Sequence, residues 1–226
     1  MWLKFLKHVM LAFGLVVMFA SGSQVGVRAH EEAVNPQTVL YNQIAATSQE
    51  GVSSTRVTGT FPTYTQGADD FLVPGPAWFI VNSIEVRGEI VGAAPNSVLV
   101  EFYNTVNNLP GNLIYSQTAN IGGTGGNFIL TLPTPAVLPA SGTPYWLSVQ
   151  SQSNSPTVVW FWKTRSLVAG SNPAAYKTAT LPGCTNVWAT RGTCEPVAGA
   201  GPDNQFSLSG IAFTPTAFLY LPLIRR

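Results

Sequence analysis

Beyond its first thirty residues, the chain almost completely lacks the periodicity of helices. Short runs rich in β-branched and aromatic residues are instead separated at close intervals by Gly, Pro, Ser, Thr and Asn. Runs of this kind, bounded by turn-forming residues, are typical of strands with short connections. The pattern predicts an all-β fold: a single antiparallel β-sandwich of the jelly-roll type, with eight or nine strands.

Two stretches alternate clearly enough for side chains to be assigned to faces. One face of the strand predicted over residues 78–90 carries five apolar residues: Trp78, Ile80, Ile84, Val86 and Ile90. A bend or bulge is expected near Gly88, because the run is long for one strand. The following strand is expected to place Val98, Val100 and Phe102 inside, with Glu101 and Tyr103 on the opposite face.

Residues 1–29 have the layout of a signal peptide: a basic start, an apolar run and a small-residue exit at Val27 and Ala29. The apolar run, of about a dozen residues, is shorter than the ~20 residues that span a bilayer. Earlier cleavage at Ala20 and an uncleaved membrane anchor are the alternatives. We expect an exported protein, secreted or at the cell surface. Its signal-peptide helix would precede a sandwich domain, residues 30–214, and an apolar tail, residues 215–226.

Removal of residues 1–29 would leave eight basic and ten acidic residues, and so change the net charge from +1 to −2. The basic residues are scattered singly except for the terminal pair, whereas nucleic-acid binding requires clustered Lys and Arg. Nucleic acid is therefore not an expected partner. No stable transmembrane span is expected after processing.

The tail, PTAFLYLPLIRR, is strongly apolar but too short to cross a membrane as a helix. Pro222 interrupts any helix or central strand within it. The tail is therefore either an edge strand that closes the sheet or a sorting signal for export or the cell surface.

The two cysteines, Cys184 and Cys194, lie close together in GCTNVWATRGTCEP. In an exported chain this spacing predicts a disulfide that closes a short loop. The alternative, a two-cysteine metal site, has no histidine partner nearby.

The histidines restrict the catalytic options. His8 lies in the predicted signal peptide and His30 at its edge, so the folded body has no imidazole. Ser-His-Asp and Cys-His mechanisms, and the usual zinc sites, are therefore excluded.

A glycosidase needs only two carboxylates. Glu85 and Glu89 share one face of a predicted strand, but four residues of strand separate them by about 13 Å, too far for either glycosidase geometry. Glu101, expected on a neighbouring strand, could approach either of them. Arg87 lies between them and is as well suited to offset their charge on a solvated face.

Acidic residues also suggest an ion site. Asp69 and Asp70, and separately Asp203 with Asn204, are each expected immediately before a strand. If these two turns meet at one end of the sandwich, their oxygens could bind structural calcium, which takes several oxygen ligands. The alternative is that they cap turns by accepting hydrogen bonds from nearby amides. No other cofactor is expected.

The stretch PTVVWFWKTR places Trp160 and Trp162 on one face of a predicted strand and Phe161 on the other. Such a pair is either an exposed platform for a sugar ring or part of the core. Both faces are apolar for most of the strand, which indicates burial on both sides and favours the core for Trp160. Both alternatives stay open for Trp162, because the strand becomes polar at Lys163.

Several short segments, taken in order, resemble a β-sandwich module found in exported bacterial proteins. They are LYNQ, ADDFLVP with Trp78 and Ile80, VLVEFYNTVNNLPGNLI, YWLSVQS, VVWFWK and NQFSLSGI. The tail YLPLIRR is similar to C-terminal tails of exported proteins in some bacterial groups. These modules are mostly of unassigned function, so the resemblance implies a sandwich and an extracellular setting but no catalytic residues. It also implies that Trp78, Trp146 and Trp160 are structural.

Three aromatic residues are the candidates for ligand binding: Trp162, Trp188 and Tyr103. Polar residues and turn signals beside the two tryptophans favour their exposure. Exposed aromatic rings next to polar side chains are suited to sugars. The leading hypothesis is a non-enzymatic exported binding or cell-surface module, with a polysaccharide or a cell-surface component as its partner. The alternatives are a structural subunit of an extracellular layer or matrix and, less favoured, a small glycosidase.

Overall fold

A computed structural model describes residues 37–44, 48–58, 63–194 and 200–215. The predicted signal peptide and all but the first residue of the predicted tail lie outside these ranges. Within them the prediction of an all-β fold is confirmed, since strands account for nearly all regular structure. No helix in the described ranges is long and apolar enough to cross a membrane.

The described residues form fifteen strands and one four-residue helix, more strands than the eight or nine predicted. The excess arises because several strands are very short and three runs are divided between sheets. In chain order the elements are β1 (Thr38–Asn42), β2 (Ser48–Ser53), β3 (Thr55–Val57), β4 (Thr63–Phe71), β5 (Trp78–Val86), β6 (Gly88–Val91), β7 (Ser97–Val106), β8 (Leu109–Thr124), β9 (Asn127–Pro139), β10 (Tyr145–Ser153), β11 (Val159–Arg165), β12 (Ala175–Thr178), β13 (Ala189–Thr190), α1 (Arg191–Cys194), β14 (Asp203–Asn204) and β15 (Phe206–Phe213).

The strands form a large and a small sheet. The large sheet has eleven strands in the order β1-β15-β5-β9-β8-β7-β10-β3-β4-β12-β13. The small sheet has the order β14-β11-β2, and β6 also pairs with β11. The large sheet is mixed, because β3 runs parallel to β10. The prediction of a purely antiparallel fold is therefore wrong.

The parallel pair follows from a crossing between the sheets at Ser54. This residue alone separates β2 of the small sheet from β3 of the large one. Its hydroxyl donates a 2.6 Å hydrogen bond to the Val149 carbonyl of β10, and its amide donates a 3.0 Å bond to the Trp160 carbonyl of β11. Ser54 is thus bonded to both sheets where the chain passes between them.

The alternation predicted for residues 78–90 is interrupted by a bulge in β5, where pairing with β9 shifts between Val81 and Ser83. Odd-numbered side chains are buried before the bulge and even-numbered ones after it. The prediction that Trp78 and Ile80 share one face with Ile84 and Val86 is therefore wrong: Ile84 and Val86 are buried, whereas Trp78 and Ile80 are only half-buried. One extra residue in a strand reverses the face of every side chain beyond it.

The bend expected near Gly88 is a second crossing between the sheets. β5 ends in the large sheet and β6 begins in the small one, with Arg87 between them. The Arg87 amide donates to the Gln205 carbonyl, at 3.3 Å, and its carbonyl accepts from the Lys163 amide, at 2.9 Å. Only glycine fits at residue 88, because a Cβ there would lie 2.1 Å from Nε1 of Trp160.

One large hydrophobic core takes side chains from both sheets. β7 contributes Val98, Val100 and Phe102, so the faces predicted for this strand are confirmed. The small sheet contributes Trp160 and Trp162, both completely buried. The core therefore joins the two sheets into one packed unit.

Candidate functional site

Trp162 is not exposed, so its choice as a candidate for exposure was wrong. Its ring stacks on Trp160, with centroids 5.8 Å apart, and its Nε1 donates to the Gln205 carbonyl at 2.8 Å. The reason is the position of β11, which lies between β6 and β2 and turns its tryptophan face to the core. Lys163 and Arg165 belong to the opposite, half-buried face and do not indicate the exposure of Trp162.

The other two candidates, Tyr103 and Trp188, lie together. Their rings meet edge to face, with centroids 5.6 Å apart and an angle of 80°. Tyr103, on β7, is 6% exposed and packs with its register partner Trp146 of β10. Trp188 is half-buried against this cluster, so part of the residue reaches the surface. Of the three candidates, Trp188 is the one that can contact a ligand by stacking.

Lys177 of β12 completes what we call the aromatic cluster: Tyr64, Tyr103, Lys177 and Trp188. The Nζ of Lys177 lies 4.3 Å from the centre of the Trp188 ring and 5.7 and 5.8 Å from the centres of Tyr64 and Tyr103. An ammonium group at these distances is attracted by the negative faces of the rings. Burial lowers the pKa of Lys177, whereas the nearby charge of Glu101 raises it.

A hydrogen-bonded network lies beneath the aromatic cluster. The Glu101 Oε2 accepts a 2.7 Å bond from the Tyr103 hydroxyl and a 2.6 Å bond from Nε2 of Gln66. Gln66 is buried, and its Nε2 also donates to the Ser148 hydroxyl at 2.7 Å. Burial, and then the adjacent Glu101 charge, raise the pKa of Tyr103, so its hydroxyl stays a donor. Glu101 is thus held in place by its neighbours.

The predicted disulfide is confirmed: Cys184 and Cys194 are bonded, with Cα atoms 5.7 Å apart. We call residues 184–194 the disulfide loop. The amide of Asn186 donates to the Thr178 carbonyl at 2.9 Å, which ties the beginning of the loop to β12. Trp188 lies within the loop, so the bond that closes the loop also limits where this ring can move.

A cavity of about 530 Å³ lies beside the aromatic cluster and shares Tyr64 with it. β3, β4 and the segment that follows β12 form its walls. The lining residues are Arg56, Val57, Thr58, Thr63, Tyr64, Ala179 and Asn186. This volume is within the range of small-ligand sites. The cavity and the exposed part of Trp188 are therefore the candidate binding surface.

Tyr64, Gln66 and Lys177 are not among the site residues predicted from the sequence. A signal existed for the first two, because period-two alternation in TYTQG places them on the same face of one strand. Lys177 had no such signal. It reaches the aromatic cluster because β12 pairs with β4 in a register that sets Lys177 opposite Gln66.

The three aspartates proposed for calcium lie together and are completely buried. Asp69 and Asp70 lie within β4, not before a strand as predicted, and Asp203 begins β14. Burial raises the pKa of Asp69 well above its ordinary range, and the charge of Asp203 raises it further. Burial also raises the pKa values of Asp70 and Asp203.

These aspartates accept hydrogen bonds mainly from backbone amides. Asp70 Oδ2 accepts from the amides of Ser171 and Asn172, at 3.0 and 3.1 Å, and Asp203 Oδ2 accepts from the Ala169 amide at 2.6 Å. Asp70 and Asp203 therefore fix residues 169–172 to the ends of β4 and β14, through amides that are distant in sequence. No group of three acidic, cysteine or histidine side chains in the described ranges is arranged to hold a metal ion. Calcium binding stays a prediction.

The carboxylates considered for a glycosidase are distributed over the fold. Glu89 belongs to β6 of the small sheet, whereas Glu85 belongs to β5, so the two do not share one strand. β7, which carries Glu101, is separated from β5 by β8 and β9 and is not its neighbour. Arg87 forms a 2.5 Å salt bridge with Glu85, the charge compensation considered above.

Comparison with known proteins adds nothing to this geometry. The chain matches no protein-family model, no curated protein and no solved structure.

Proposed function

We propose that this chain is an exported, non-catalytic binding module whose jelly-roll-type β-sandwich presents a polysaccharide-binding surface. The observation that carries this proposal is the half-buried Trp188, whose ring contacts Tyr103 and Lys177 beside a cavity of about 530 Å³. A sugar presents an apolar ring face and a rim of hydroxyls. An aromatic ring with amide, hydroxyl and charged groups around it is complementary to both.

The shared core supports a sandwich architecture. β8 pairs with β7 on one side and β9 on the other. Side chains from β5 and β9 nevertheless meet those from β7 and β10 in one core, together with the tryptophans of β11. The large sheet would then fold over at β8, so that its two halves face each other.

The hydrogen-bonding of the acids supports a binding role over a catalytic one. A glycosidase acid must reach the glycosidic oxygen. The nearest carboxylate to the aromatic cluster, Glu101, instead accepts bonds from Tyr103 and Gln66 on one oxygen, and the Ser116 hydroxyl donates to the other at 3.4 Å. This arrangement is suited to holding the aromatic rings in position.

The proposal is tested by binding of the purified full chain to a panel of soluble plant and bacterial polysaccharides. We expect Trp188→Ala to weaken binding at least tenfold, which corresponds to about 1.4 kcal/mol. Trp78→Ala is the matched control, because Trp78 is a half-buried tryptophan in contact with Phe213 on another part of the surface. Equal binding by the two variants, with both folded, would contradict the proposal.

A further inference from the structure

We infer that the polysaccharide bound at this surface is acidic, and that Arg56 binds its carboxylate or sulfate group in the cavity. This inference rests on the proposed function and adds the chemical class of the ligand. It is carried by the distribution of charge around the cavity and the aromatic cluster.

Arg56 is the one charged residue among the described residues that line the cavity. Its side chain is exposed, and in the described part of the chain it forms no ion pair. A guanidinium group can donate two parallel hydrogen bonds to one carboxylate, which gives direction as well as charge. A cavity with a cation and several hydroxyl and amide groups therefore favours an anionic, hydroxylated ligand.

The second cation near the cavity is Lys177. Its Nζ lies 5.7 Å from the ring centre of Tyr64, which also lines the cavity. The nearby acid, Glu101, directs its oxygens to Tyr103, Gln66 and Ser116. These donors are neutral, so Glu101 keeps its single negative charge, which the two cations Arg56 and Lys177 exceed by one. The charge left to attract a ligand is positive.

The remaining lining residues are uncharged: Thr58, Thr63, Tyr64 and Asn186 are polar, whereas Val57 and Ala179 are apolar. Asn186 has a φ of 58°, in the left-handed region that asparagine tolerates better than most residues. It lies in the disulfide loop, two residues before Trp188. A saccharide that contacts the Trp188 ring would therefore lie close to Asn186, which lines the cavity, and to Tyr64, which belongs to both the cavity lining and the aromatic cluster.

The test compares three soluble polysaccharides of matched chain length: a neutral galactan, a polygalacturonate and a sulfated galactan. Polyglutamate is included as an acidic peptide. We expect one or both acidic polymers to bind at least tenfold more tightly than the neutral one, and sodium chloride to weaken their binding. Arg56→Gln should remove most of this preference, and it should weaken the binding of the neutral polymer much less than that of the acidic ones. The acidic polymer that loses more affinity in Arg56→Gln identifies the acidic group.

Two controls accompany the variant. Arg87→Gln removes an arginine that is paired with Glu85 outside the cavity, and it should leave the preference for acidic polymers unchanged. Thermal unfolding should show Arg56→Gln to be folded, because substitution of an exposed residue usually changes stability by no more than about 0.5 kcal/mol.

The outcomes separate the inference from the proposed function. Equal affinity for neutral and acidic polymers, or unchanged acidic binding by Arg56→Gln, would overturn the inference. If Trp188→Ala still abolished binding in that case, the proposed function would stand. Binding of polyglutamate in place of any polysaccharide would overturn both and identify an acidic peptide as the ligand. Absence of binding to every polymer would also overturn both.

Discussion

The Nζ of Lys177 lies 4.3 Å from the centre of the Trp188 ring, so the aromatic residue of the proposed site already contacts a cation of its own chain. Tyr103 meets the same ring edge to face. Trp188 is thus held by two neighbours before any ligand arrives. A side chain that is already ordered loses less conformational entropy on binding than a mobile one.

The contact between Lys177 and Trp188 can be tested by Lys177→Met, which keeps an unbranched apolar side chain and removes the charge. We expect the free energy of unfolding to fall by about 0.5–1 kcal/mol, the usual contribution of a cation–π contact that water still reaches. Urea unfolding measures the change. The control is Lys163→Met, at a half-buried lysine for which no ring contact is found in the described ranges. A loss no larger than that of the control would contradict the interpretation.

The fold class and the faces of β7 could be predicted from the sequence because strand alternation is a local property. Val98, Val100 and Phe102 are two residues apart, and no bulge falls between them. Alternation did not predict the faces of Trp78 and Ile80, because the bulge in β5 depends on pairing with β9, which is distant in sequence.

The candidate site could be predicted only in part. Polar surroundings in the sequence marked both Trp188, which is half-buried, and Trp162, which is completely buried. Exposure of a strand tryptophan depends on which sheet covers it, and neighbouring residues in the sequence do not determine that. The contact of Lys177 with Tyr64 likewise depends on the pairing of β12 with β4.

The crossing of the chain between the sheets at Gly88 should be intolerant of a side chain. A Cβ at this position would lie 2.1 Å from Nε1 of Trp160 and 2.8 Å from the carbonyl oxygen of Gly126. We expect Gly88→Ala to lower the free energy of unfolding by at least 1–3 kcal/mol, roughly the cost of overpacking a core. Gly192→Ala is the control, because no atom lies within 4 Å of its added Cβ. Similar unfolding midpoints for both variants in urea would show that the crossing adapts.

The buried aspartates should make stability depend on pH. Burial raises the pKa values of Asp69, Asp70 and Asp203 in the folded protein, although Arg165 and Arg191 lower that of Asp203. A raised pKa means that the folded state binds protons more tightly than the unfolded state. The stabilisation by protonation is therefore complete below the ordinary pKa of about 3.9 and is lost as pH rises through the raised values.

The variant Asp70→Asn tests this pH dependence. Asparagine mimics the protonated acid and keeps one oxygen to accept from the amides of Ser171 and Asn172. The unfolding free energy of the variant, relative to the original chain, should increase as pH rises from 4 to 8. Asp70→Ala removes the acceptor and should be less stable throughout. A constant difference between Asp70→Asn and the original chain would show that Asp70 does not contribute to the pH dependence.

The disulfide between Cys184 and Cys194 should stabilise the fold and also position the binding surface. Opening a loop of this length costs about 3 kcal/mol in the chain-entropy model. Both sulfurs belong to buried residues, so the double variant Cys184→Ala with Cys194→Ala avoids placing new polar groups there. We expect it to unfold at lower urea concentration than the original chain.

Because Trp188 and Asn186 both lie in the disulfide loop, the double variant should also bind the polysaccharide more weakly under conditions where it is fully folded. Lower stability with unchanged affinity would show that the hydrogen bond from Asn186 to Thr178, and the contacts of Trp188 with Tyr103 and Lys177, are sufficient to hold the loop in place.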